Sequence, residues 1–191
     1  MKLVRDKTKV ITWLVLWLAA WGVALWLWGA EPISAPQSGL TYFVFVVAIA
    51  LAVLLFPREL KEWLSRVSSL QIALMLAGSA LFSFFSSSPI EVDFLRSLHI
   101  GFQQIMIAVL IFLVPVSNAG FASALWRVVV LFVGSHLLLF FFYSATWVLF
   151  FTAFSLIGAV LFVFLIQKVR GGVALSYLLH WGFYFSLLQL L

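Results

Sequence analysis

Two neighbouring amides, Gln103 and Gln104, stand in the apolar run HIGFQQIMIAVL of residues 99–110. An unsatisfied polar group in hydrocarbon costs several kcal/mol, so both amides require partners inside the protein. Ionisable residues within apolar runs default to function, which singles out two imidazoles. His136 lies in LFVGSHL, one turn after Phe132 and on its face, and His180 lies in SYLLHWGFY, one turn before Tyr184. Two histidines at comparable depth on separate helices can serve as axial ligands of a haem, or can line a polar interior with no cofactor; the sequence names none. His99 falls beside Glu91 and Asp93, near an outer surface where solvation accounts for it. Ser79, Ser83 and Ser87 recur at every fourth position, a small polar stripe that permits close helix approach and offers hydroxyls to the glutamine pair. No acidic residue lies at their depth to complete a triad, so no serine nucleophile is expected.

Such side chains must be held by helices in an apolar solvent. Of the 191 residues, 65% are hydrophobic and 9% charged, and the mean hydropathy is +1.22, the composition of an integral membrane protein. Apolar runs separated by short polar breaks predict seven helices, at about residues 10–30, 41–56, 70–88, 98–116, 124–143, 146–167 and 173–191. The expected fold class is therefore all-α, a polytopic membrane bundle forming a single domain over residues 1–191. The weakest break, from Ser144 to Thr146, must be a turn, because roughly forty apolar residues cannot cross one bilayer as a single span.

Charge sets the orientation. Lys2, Arg5, Lys7 and Lys9 precede the first predicted helix, Arg58, Lys61 and Arg66 follow the second, Arg127 follows the fourth, and Lys168 and Arg170 follow the sixth. All fall on one side, with Arg96 the exception, so the positive-inside bias puts the N-terminus inside and the C-terminus outside. Topology thus accounts for the net charge of +5, and nucleic acid is not an expected partner because no basic groove with interleaved aromatics is present. The absence of cysteine excludes disulfides, thiolate chemistry, iron–sulfur clusters and Cys-ligated zinc, and no metal site is expected. The first apolar run begins at Val10 and places Trp28 where a signal-peptide cleavage site needs a small residue, so a retained helix is expected. Trp13, Trp17, Trp21 and Trp28 share one face of that helix. They read as a lipid-facing aromatic stripe or as the docking face for a membrane-protein partner or a pigment.

The segment from Phe154 to His180, FSLIGAVLFVFLIQKVRGGVALSYLLH, resembles the last core motif of the CPBP family, the bacterial and archaeal relatives of the CAAX-prenyl endopeptidases. That motif has an aromatic, glycine-containing helix, a basic glycine-bearing turn and a helix carrying a histidine. Phe132 and His136 match the family's preceding Phe-x-x-x-His motif, and the resemblance covers about residues 98–184. The family's first motif, Glu-Glu-x-x-x-Arg, falls on Gln103, Gln104 and Ala108, and Tyr184 replaces the asparagine expected one turn after His180. The resemblance implies that the first glutamate activates water while the histidines and asparagine position it and stabilise an oxyanion. A glutamine amide has no usable basicity near neutral pH. The resemblance therefore implies a catalytically degenerate scaffold or partner-binding subunit of a membrane complex, in a bacterial-type cytoplasmic membrane. A second alignment places Glu91 and Arg96 of PIEVDFLR on the first motif and would restore an active intramembrane endopeptidase, provided a re-entrant chain brings Glu91 to His136 and His180. A third reading is a substrate-binding subunit of a transporter, its pocket lined by the glutamines and serines.

Overall fold

The computed structural model describes residues 2–28, 35–86, 89–113, 120–141 and 143–188, with side chains described for all of these except 2–6, 24–28, 35–38 and 187–188. The described secondary structure is helical throughout: α1 (Lys2–Trp28), α2 (Ala35–Leu55), α3 (Pro57–Leu64), α4 (Ser69–Phe85), α5 (Ile90–Phe112), α6 (Phe121–Phe141), α7 (Ala145–Lys168) and α8 (Gly172–Leu188). Each predicted helix has a counterpart, and α3 is an addition. Pro57, at its first turn, stops α2 and starts α3. The chain bends by 97° at that break, and Leu60 is buried. Among the described residues, α5, α6 and α7 are long and apolar enough to cross a membrane, and the bent pair α2–α3 makes a fourth if counted as one span. These helices are compatible with a membrane protein.

Helix α5 is the central element. Its side chains are buried almost continuously from His99 to Phe112, because α2, α3, α6 and α8 pack on it and Trp13 and Trp17 of α1 reach Met106 and Phe102. Glu91 and Asp93 in its first turn complement the helix dipole. At its other end Arg127 donates from Nε to the Leu110 carbonyl (2.9 Å) and from Nη2 to the Ile111 carbonyl (3.3 Å), which satisfies acceptors the helix cannot satisfy itself. The Arg66 guanidinium lies 5.0 Å from the Phe112 ring centre and reaches the carbonyls of Ile166 and Gln167 at 3.4 Å. Nearby, Lys9 pairs with the buried carboxylate of Glu59. Arg66 and Arg127 thus stand at one end of α5, whereas Glu91, Asp93 and Arg96 stand at the other; the 23 residues of this helix span about 34 Å.

The expected outward tryptophan face is overturned. Trp13 and Trp17 are 0% exposed and Trp21 is 5% exposed. Their rings stack on one another at 5.6 and 5.4 Å, and Trp17 also packs on Phe102 and Phe132. The Trp13 indole donates to the Met106 carbonyl and the Trp17 indole to the Ser135 hydroxyl, both at 2.8 Å. The physical reason is that α5 and α6 supply acceptors for both indole N–H groups inside the bundle, so the large aromatic surfaces can be buried without stranding a donor. The outward face of α1 is aliphatic, with Ile11 and Val15 exposed. Trp13, Trp17 and Trp21 are therefore core residues and offer no surface to a partner; the side chain of Trp28 lies outside the described residues.

Helix α6 changes its winding, α-helical over Phe121–Arg127, π-helical over Val128–Val133 and 3-10 over His136–Phe141. At the junction, the Ser135 hydroxyl (2.6 Å) and His136 Nδ1 (2.9 Å) both donate to the Phe132 carbonyl. Side-chain donors that capture a carbonyl in this way compete with the regular backbone ladder, and π segments recur at functional sites.

Between α7 and α8 the turn depends on two glycines. Gly171 has φ +85°, in the left-handed region, and a Cβ on Gly172 would lie 1.8 Å from the Leu165 carbonyl oxygen. Gly172→Ala is expected to destabilise the bundle by about 1–3 kcal/mol or more, since backbone rather than a flexible side chain must yield. The check is the thermal midpoint of purified protein in detergent, with Gly101→Ala as control. A Cβ at Gly101 meets nothing within 4 Å, so that change is expected to be neutral or mildly stabilising; an unchanged midpoint in Gly172→Ala would show that the turn relaxes freely.

Candidate functional site

The two glutamines project from α5 into a buried polar interior, as their desolvation cost requires. Gln104 is the hub. Its Nε2 donates to the Ser176 carbonyl (3.4 Å), which fixes the amide orientation because a carbonyl only accepts, and to His180 Nδ1 (3.1 Å). Its Oε1 lies 3.0 Å from the Ser176 hydroxyl, whose proton is shared with the Val173 carbonyl at 2.9 Å. Gln103 pairs through Nε2 with His99 Nε2 at 3.0 Å, one turn earlier on α5. Its amide also reaches the Tyr184 hydroxyl, and its Oε1 is a buried acceptor without a hydrogen-bond partner.

Aromatic rings hold the imidazoles in place. His136 meets Trp21 and Phe132 edge-on at 5.0 and 5.1 Å, while His180 lies between Phe162 (5.2 Å) and Tyr184 (5.5 Å). His99 stacks on Phe45 at 5.0 Å. The hydrogen bonds also set two tautomers. Because a carbonyl accepts, His136 carries its proton on Nδ1; because an amide N–H donates, His180 Nδ1 is bare and its proton is on Nε2. His136 and His180 border one pocket of about 150 Å³ between α6, α7 and α8. A cavity of about that volume accommodates a benzene-sized ring, so the pocket as formed does not take a porphyrin between these histidines. No group of three His, Cys, Asp or Glu among the described residues could hold a metal ion.

Among the family-motif positions, the structure brings Gln103, Gln104, Phe132, His136, His180 and Tyr184 together around this interior. It does not bring Glu91 and Arg96 there. Glu91 is exposed at the first turn of α5, where its carbonyl accepts from the Tyr42 hydroxyl. It stands roughly 18 Å along that helix from Gln103 at 1.5 Å per residue. Arg96 pairs with the buried Asp93 (2.5 Å) rather than with Glu91. Because α5 is one continuous helix over Ile90–Phe112, no re-entrant segment returns Glu91 to the histidines. The described hydrogen bonds of His136 and His180 go to Phe132 and Gln104, not to a carboxylate.

Two other expectations are corrected. Among the described residues the serine stripe of α4 makes no hydrogen bond to the glutamines: Ser79 bonds the Tyr177 hydroxyl at 2.9 Å and Ser83 is only partly buried, while Ser87 lies outside the described residues. The hydroxyl that meets Gln104 is Ser176 of α8. His99 is not a solvated surface residue but is 2% exposed. The i, i+4 spacing of His99 and Gln103 on one helix face was the sequence signal that could have revealed their pairing. No family model matches this chain, and neither does any curated protein or solved structure.

Proposed function

We propose that this chain is a CPBP-like multi-pass membrane protein of about seven spans, N-terminus inside, that sits in a bacterial-type cytoplasmic membrane, lacks peptidase chemistry and acts as a scaffold or partner-binding subunit of a membrane complex. The observation that carries the reading is Gln104, a neutral amide bonded at once to His180 and Ser176 at the position where the resembled motif has a carboxylate. An amide keeps the shape and one accepting oxygen of a carboxylate without its charge, its Nε2 donates to the Ser176 carbonyl and to His180 Nδ1 where a carboxylate oxygen could only accept, and it cannot take a proton from water. The position of Glu91, roughly 18 Å along α5 from Gln103, weighs against the endopeptidase reading. With Trp13, Trp17 and Trp21 buried, a partner would meet some other face of the bundle.

The test is a peptidase assay on membrane-embedded peptides with wild type and Glu91→Gln. Wild type is expected to cleave nothing, and Glu91→Gln is expected to be indistinguishable from it in expression and stability. Cleavage by wild type that vanishes in Glu91→Gln would sink the proposal. Orientation is tested separately by single cysteines, for which the chain offers a cysteine-free background. Cys in place of Glu91 should react with an impermeant reagent from outside, whereas Cys in place of Lys61 or Lys168 should react only after permeabilisation; outside labelling at Lys168 would overturn the topology.

A further inference from the structure

The pocket between α6, α7 and α8 has a chemistry that the scaffold reading does not use. His136 Nδ1 is bonded to the Phe132 carbonyl and His180 Nδ1 to the Gln104 amide. The nitrogen that each ring leaves for the pocket is therefore Nε2, and the two differ: that of His136 is a bare acceptor and that of His180 bears a proton to donate. Both histidines are more than nine-tenths buried, so bulk water is a poor partner for either. A donor beside an acceptor matches one common group, a hydroxyl, which is itself both. The rest of the lining is aromatic, including Phe151, Phe154, Phe162 and Tyr184, and the volume of about 150 Å³ is that of one six-membered ring. Phe154, Ile157 and Leu161 at the rim are exposed and apolar, so entry is from an apolar medium.

We infer that this pocket binds a hydroxylated aromatic ring, a phenol or the quinol head of a membrane lipid, with the hydroxyl between His136 Nε2 and His180 Nε2 and the ring among the phenylalanines. The inference stands on the pocket and not on the CPBP resemblance, and its test is binding rather than proteolysis, so each can fail without the other.

The experiment uses the full chain in detergent micelles and follows binding by ¹⁹F NMR, corrected with protein-free micelles for partition. The probes are 4-fluorophenol, 4-fluoroanisole, which can accept but not donate, and fluorobenzene, which does neither. Wild type is expected to bind 4-fluorophenol at least tenfold more tightly than fluorobenzene, with 4-fluoroanisole between them. His180→Phe leaves His136 Nε2 to accept from the hydroxyl, so it should weaken the phenol without reducing it to the affinity of fluorobenzene and should abolish the advantage of 4-fluoroanisole over fluorobenzene. Gly158→Leu adds bulk to the pocket from α7 while both histidines are kept: a Cβ there makes ordinary contact with the Phe162 ring at 3.5 Å, and leucine favours the helix over glycine. It should abolish saturable binding of all three probes with an unchanged circular dichroism spectrum. Equal affinity for phenol and fluorobenzene in wild type, or full phenol binding in Gly158→Leu, would overturn the proposal. Competition by 4-decylphenol beyond its partition gain identifies a lipid-borne ring as the occupant, and its absence identifies a free phenol.

Discussion

Trp17→Ala is expected to lower the unfolding free energy by about 3–5 kcal/mol, the usual cost of truncating a fully buried large aromatic. Trp17 is 0% exposed and sits where three elements meet: it stacks between Trp13 and Trp21 on its own helix, lies against Phe102 of α5 at 5.6 Å and touches Phe132 of α6 at 5.1 Å. Removing the indole opens a cavity that none of these rings can fill without losing another contact. The Ser135 hydroxyl keeps its own donor bond to Phe132, so it loses only the bond it accepted from Trp17. Trp17→Phe restores most of the packing, and its expected cost is about 1 kcal/mol for that bond. Val15→Ala, on the exposed face of α1 at 62% exposure, is the control and should change stability little. Denaturation in mixed micelles reads all three. If Trp17→Ala is no worse than Val15→Ala, the tryptophans are not core residues and the aromatic face belongs on the outside of the bundle.

That outcome bears on what a membrane-type sequence can and cannot disclose. Helical runs were legible because long apolar stretches broken by Pro57, Gly171 and short polar segments admit little else. Periodicity correctly put Trp13, Trp17 and Trp21 on one face of α1, but it could not say which way that face points, because lipid tails and a protein interior are equally apolar. The apolar run alone puts the start of α5 near residue 98, after Glu91, Asp93 and Arg96. The helix in fact begins at Ile90, and Asp93 and Arg96 neutralise each other one turn apart. The same charges made His99 look solvated. The need of Gln103 and Gln104 for an interior followed from desolvation alone. Their partners did not: a repeating serine stripe on α4 attracts attention, whereas Ser176, one of two serines ten residues apart on α8, carries no pattern. Which helix faces which is a tertiary fact that spacing along one helix does not contain.

Gln104→Leu is expected to destabilise by about 3 kcal/mol, near the upper end of the cost of stranding a buried polar group, and the way that cost couples to His180 is the sharper prediction. With Gln104 gone, the Ser176 hydroxyl still donates to Val173, so the group left without a partner is His180 Nδ1, buried among Phe162 and Tyr184. His180→Phe alone strands the opposite end, leaving a Gln104 amide hydrogen with no acceptor, at an expected cost of about 2 kcal/mol. Replacing both partners by apolar groups of similar shape strands neither, and such exchanges can be nearly neutral. The double variant Gln104→Leu with His180→Phe should therefore be more stable than the sum of the single losses allows, by about 1–3 kcal/mol, the range found for directly bonded pairs in double-mutant cycles. Gln103→Leu is the contrast. Its Oε1 already lacks a partner, so leucine removes a stranded acceptor together with the bonds to His99 and Tyr184, and the expected loss is about 1–2 kcal/mol. Strict additivity of Gln104→Leu and His180→Phe, or a Gln103→Leu as damaging as Gln104→Leu, would mean that the amide and the imidazole do not face each other, and the degenerate-site reading would lose the hydrogen bond on which it rests.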